Sequence, residues 1–137
     1  MVVVLLVLSS ILLSGCAMTV NEFRGNPLTY LAQVHGKHIS IANCILHGLE
    51  ETVETWPDMF RVTTNGGRTS LLVSRSQPAL VGLPISSPLT EFVLTQVTNT
   101  DVLIETRTRS YLAGNHFIDH AKPFIETCAQ QSLTNGT

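Results

Sequence analysis

The sequence predicts an α+β domain: an antiparallel sheet of about four strands in two hairpins, with N- and C-terminal helices packed on one of its faces. The first observation behind this is that apolar residues recur at helical spacing near both ends and with period two between them. The second is that Asn65-Gly66-Gly67 and Asn99-Thr100-Asp101 stand where pairs of alternating runs must reverse. No repeat or low-complexity tract interrupts the pattern.

Ala17 to Gly25 is polar, lacks a period and reads as a tether. Order is expected to begin at Asn26-Pro27, a capping residue followed by a proline suited to a first helical position. Leu28, Leu31, Ala32 and Val34 would then form a short helix ending at Gly36. Ala42, Ile45, Leu46, Leu49 and Val53 predict an amphipathic helix over 40–53, with Glu50, Glu51 and Glu54 on its solvated face. Cys44 lies beside the apolar stripe. One turn on, Gly48 lacks a side chain, so another backbone could approach closely, and the C-terminal segment is expected to dock there.

After Trp56-Pro57 the period changes to two. Phe60 and Val62 alternate with Arg61 and Thr63 up to Asn65-Gly66-Gly67, and Thr69 to Arg75 follows as the second strand of a hairpin. Pro78, Gly82, Pro84 and Pro88 make 76–89 a loop, or at most a broken edge strand around Ala79 to Ile85. The second hairpin joins Glu91–Thr98 to Val102–Arg109. In its second strand Val102, Ile104, Thr106 and Thr108 alternate with Leu103, Glu105, Arg107 and Arg109, so one face is packed and one wet. Phe117, Ile118, Ala121, Phe124, Ile125 and Cys128 share a helical stripe, which Pro123 should break or restart, giving a helix at about 122–131 and a polar tail from Gln130. The order of the strands is left open, because the two hairpins are joined by a long loop.

Charged residues make up 13% of the chain and the formal charge is −2, with the eight Lys and Arg scattered from Arg24 to Lys122. Nucleic-acid binding requires a basic cluster, and that partner class is excluded. Among the five histidines, His116 and His120 are four apart and would share a helix face, a spacing able to hold zinc or copper. His35 and His38 are the residues able to complete such a site if the terminal helices pack together. Pro123 in the same segment argues against it, as does the frequency of histidine pairs without function, so no metal or cofactor is expected. No G-x-S-x-G elbow, H-E-x-x-H or phosphate loop occurs, and adjacency of Asp119 and His120 does not make a triad; a non-enzyme is expected. Trp56, Phe60 and Leu80 to Ile85 form a candidate apolar surface, whose plainer reading is a loop over the sheet edge. Arg107 and Arg109 are candidates for an anionic partner, or simply solvated strand positions.

Val2 to Leu13 is an apolar run ending in small residues. It is shorter than the about 20 apolar residues a spanning helix takes, and Thr19, Asn21, Glu22 and Arg24 close any extension, so it reads as an export signal. Leu13-Ser14-Gly15-Cys16 resembles the lipobox of bacterial lipoprotein precursors. The resemblance covers residues 1–16. It implies a signal peptide over 1–15 and an acylated (palmitate-bearing) Cys16. Cys16 would lead the polar tether over 16–25, and the length that remains suits a single globular domain over 26–137. Such signals carry Lys or Arg ahead of the apolar core, whereas no Lys or Arg precedes Arg24 here, so the coding start is expected upstream of Met1. Ala17 and Met18 follow the cysteine, and the absence of Asp at that second position resembles lipoproteins passed to the outer membrane. The implied location is the cell envelope, on the periplasmic side of the outer membrane in a diderm organism.

With Cys16 carrying lipid in an oxidising compartment, Cys44 and Cys128 are expected to pair, tying the two helices together and contributing about 4–5 kcal/mol in the chain-entropy model. The alternatives are two buried thiols or a metal pair, although no C-x-x-C spacing is present. The expected function is non-catalytic: an accessory lipoprotein that is anchored through its lipid and holds an envelope protein partner. The alternative is a metal or small-ligand module built on the histidines.

Overall fold

The computed structural model describes residues 19–52, 58–77, 85–109 and 114–134. The elements are α1 (Val20–Arg24), β1 (Tyr30–His35), α2 (His38–Thr52), β2 (Asp58–Asn65), β3 (Arg68–Gln77), β4 (Ile85–Gln96), β5 (Asp101–Thr108) and α3 (Gly114–Thr134). The strands form one antiparallel sheet in the order β1-β5-β4-β3-β2. The α+β expectation holds, with five described strands rather than four. β2 to β5 run as a meander, and β1 joins its β5 edge. The first two strands therefore lie at opposite edges, and α2 connects them.

Thr19 begins α1 with a capping box: its hydroxyl accepts from the Glu22 amide at 3.3 Å and its own amide donates to the Glu22 carboxylate at 2.8 Å. Phe23 is 0% exposed. The stretch expected to be a tether thus contains a capped turn anchored in the fold.

The helix expected over 28–36 is instead mostly strand. Tyr30, Ala32 and Val34 are half-buried while Leu31, Gln33 and His35 are exposed, which is period two. Leu31, Ala32 and Gln33 are good helix formers, and pairing with β5 from Tyr30↔Thr106 to His35↔Asp101 overrides that preference. The helix expected at 40–53 is α2. Its N-terminal amide at His38 donates to the Gln96 side-chain carbonyl at 3.0 Å. The Gln96 amide nitrogen in turn lies within hydrogen-bonding distance of the carbonyls of Gly36, Thr98 and Asp101, tying the β1–α2 corner to the β4–β5 turn.

The first hairpin pairs Asn65 with Arg68, so its two-residue turn is Gly66-Gly67 rather than Asn-Gly, and only Gly66 of the two has positive φ. β4 starts six residues before the expected strand. In this extension Ser74 pairs with Pro88, and a register shift leaves Leu89 as the extra residue. Pro88 is tolerated because β5 pairing begins only at Thr90, so at Pro88 the strand is bonded to β3 alone.

Pro123 was expected to break or restart the last helix, yet it lies inside a continuous α3. Proline removes one intrahelical hydrogen bond, and Pro123 sits on the exposed side of the helix, where water can serve the carbonyl left unpaired. Phe124 packs on Gly48: a Cβ there would meet its ring carbon at 2.8 Å. This is the expected docking point, made by a side chain rather than by backbone. One turn from it, the Cys44–Cys128 disulfide joins α2 to α3. Ile41, Ile45 and Leu49 of α2 and Ile125 of α3 close the core against Leu71, Val73, Phe92, Leu94, Val102 and Ile104. Helices were expected on one sheet face only. The disulfide-linked pair fits, but α1 lies on the opposite face, because Arg24 reaches Glu91, whose neighbours Phe92 and Leu94 point to the other side.

Candidate interaction site on the open face of the sheet

The centre of β4 is buried on both faces, with Phe92 and Leu94 toward the helices and Glu91 and Val93 away from them. Glu91 is the one carboxylate among the described residues that is fully withdrawn from water, at 1% exposure. A charge there requires partners. Arg24 supplies two nitrogens, Nη2 at 2.6 Å from Oε1 and Nε at 3.0 and 3.2 Å from the two oxygens, and the Ser70 hydroxyl donates to Oε1 at 2.7 Å. Register places Arg107 directly across from Glu91 on β5 and Leu72 across on β3. Burial acts to raise the Glu91 carboxyl pKa. The hydrogen bonds from Arg24 and Ser70, with the charges of Arg24 and Arg107, outweigh it and hold the group below its ordinary value. The Arg24 guanidinium is shifted up by the hydrogen bond to Glu91.

Beside this pair is a shallow concavity of about 240 Å³, lined by Arg24, Thr63, Asn65, Arg68, Ser70, Glu91 and Val93. Its polar lining is rich in donors, and the Glu91 oxygens are already engaged by Arg24 and Ser70. Arg61, one register row away, also belongs to this face. Neither Arg61 nor Arg68 has a carboxylate within ion-pair distance among the described residues. The concavity therefore offers cationic and hydroxyl groups to an anion. It lacks a histidine or cysteine as base or nucleophile.

The other candidates fall as follows. Cys16 lies outside the described residues, as do Trp56 and 78–84; the side chain of Ile85 is likewise not described. Phe60 packs against the core from β2. His116 and His120 fall on α3, where their side chains lie outside the described part. His35 and His38, the proposed co-ligands, do not serve that helix together. His35 faces the open side and pairs with Asp101 at 2.5 Å, whereas His38 is buried and its Nδ1 lies 2.9 Å from the Thr69 hydroxyl. His47 lies 3.7 Å from Glu51 on the solvated side of α2. Among the described residues no three His, Cys, Asp or Glu form a metal-holding group. Arg107 is on the open face as expected, and its Nε donates to the Asn26 carbonyl at 3.3 Å.

The Arg24–Glu91–Ser70 cluster was missed from sequence. A signal was present: Phe92, Val93 and Leu94 in succession mark a strand buried on both faces, so a glutamate immediately before them must be paired. No protein-family model matches the chain, and no curated protein matches it significantly.

Proposed function

We propose that the chain is a lipid-anchored envelope protein with a non-catalytic accessory role, its domain holding a protein partner close to the membrane. The observation that carries this reading is the Leu13-Ser14-Gly15-Cys16 motif after an apolar run, followed by a small domain whose two remaining cysteines form a bridge. A disulfide between the main helices suits a chain that matures in an oxidising compartment. The donor-lined concavity suits recognition rather than bond-making, since the one buried carboxylate among the described residues is neutralised in place.

The test is the intact mass of the protein extracted from native membranes, with and without reduction. Loss of residues 1–15 together with added acyl mass supports the anchor, and an unprocessed chain refutes it. Crosslinking in intact cells should then capture one envelope protein reproducibly; a chain that captures none under several chemistries has no such partner.

A further inference from the structure

We infer that the concavity beside α1 docks on the anionic phospholipid surface of the bilayer that holds the lipid anchor. The inference rests on the anchoring reading above and adds to it an orientation and a binding surface. Only Ala17 and Met18 separate Cys16 from Thr19, the cap of α1. Three peptide steps reach at most about 11 Å, whatever path they take. The rise from Thr19 to Arg24 adds about 7.5 Å, so Cys16 is held within about 19 Å of Arg24. A domain of this size is roughly 35 Å across. The tether is therefore too short to let the domain turn its open face away and present α2 and α3 to the membrane.

The chemistry of the face agrees with the constraint. Arg24 and Arg68 line the concavity with the hydroxyls of Thr63 and Ser70 and the Asn65 amide, and Arg61 flanks it. Among the described side chains on this β2–β3 side the one acid is Glu91, neutralised by Arg24. The acids of the same face lie elsewhere: Glu105 and Asp101 are on β5, and Glu22 is engaged in the α1 cap. Arginine forks match phosphate oxygens, and a cation near an anionic leaflet is attracted within a Debye length. Leu31, 58% exposed on the same face, offers an apolar contact at headgroup depth. The described helix side is mixed instead, with Glu50, Glu51 and Glu126 exposed alongside Lys122. A headgroup phosphate in the concavity would thus be met by Arg68 and Arg24, with Arg61 over its neighbour.

The test uses the processed protein purified from membranes, its acylation checked by intact mass, and reconstituted into vesicles of phosphatidylcholine alone or mixed with phosphatidylglycerol. An arginine-directed dicarbonyl is applied and modification is read residue by residue by mass spectrometry. Arg61 and Arg68 are expected to react about fivefold more slowly on the anionic vesicles, the factor equivalent to roughly 1 kcal/mol per basic residue at such a surface. High salt should remove the difference, and Arg75 outside this face should show none. Equal rates on both vesicles from an acylated protein overturn the docking and leave the anchor standing. Equal protection by soluble glycerol phosphate on neutral vesicles overturns it in favour of a free phosphate ligand. A protein without acyl mass overturns both.

Discussion

Glu91 shows how a single buried charge is made tolerable. Its carboxyl is held below the usual range, so the stability it contributes is present above the unfolded carboxylate pKa, near about 4.3, and is lost as pH falls through the folded value. Glu91→Gln is expected to destabilise the domain by about 1–3 kcal/mol near neutral pH, a figure tempered by the half-exposed Arg24. It should also flatten the acid limb of the stability profile, and denaturant unfolding across that limb measures both. An unchanged acid slope in the variant would show that Glu91 is not the titrating group. Two threonines have the opposite character: the hydroxyls of Thr90 and Thr106 are buried without a hydrogen-bond partner among the described residues. Thr106→Val keeps the shape and removes the unpaired group. A gain of about 1 kcal/mol is expected, read as a higher unfolding midpoint at unchanged denaturant slope.

At the scale of elements, the contact between α2 and α3 depends on a missing side chain. Gly48→Ala places a methyl 2.8 Å from the Phe124 ring, and the steric cost should exceed the roughly 1 kcal/mol that alanine gains in helix propensity. A net loss of about 1–2 kcal/mol is expected. The loss should shrink when the same change is made in a Phe124→Leu background, and equal losses in both backgrounds would exclude the ring as its source. Pro123 is the converse case. Pro123→Ala restores a helical hydrogen bond at an exposed position and is expected to stabilise α3 by about 1–2 kcal/mol, after allowing for the greater freedom of the unfolded chain. Calorimetry should register a higher Tm; a lower one would mean that the proline's restriction of the unfolded chain dominates.

Taken together, the described residues form a five-stranded sheet clamped on one face by a covalently linked helix pair and touched on the other by α1. The bridge spans 84 positions of sequence and closes a loop containing the C-terminal part of α2 and every strand from β2 to β5. Replacing Cys44 and Cys128 together by alanine is expected to cost about 4 kcal/mol, mostly through the freed unfolded chain. Urea denaturation under oxidising conditions measures it. Retention of parental stability would show that the helix contact alone carries the clamp.

Much of this architecture was legible in the residues alone because it depends on short-range periodicity. The three- and four-residue steps from Ala42 to Leu49 identify α2, the alternation from Val102 to Thr108 identifies β5, and Asn65-Gly66-Gly67 identifies the first reversal. The pairing of Cys44 with Cys128 followed from the expected compartment and was then met by the geometry. Tertiary structure decided the rest. β1 looked helical because Leu31, Ala32 and Gln33 favour helix, and only the open edge of β5, distant in sequence, made it a strand. Pro123 lies within a helix because packing of Phe124, Ile125 and Cys128 compensates for the lost hydrogen bond. The Arg24–Glu91 pair joins residues that no local pattern connects, so the open face and its concavity came into view only in three dimensions. Local periodicity records which side of a segment seeks burial, whereas partners distant in sequence determine what buries it, and that selection rests on contacts formed only when the whole chain is folded.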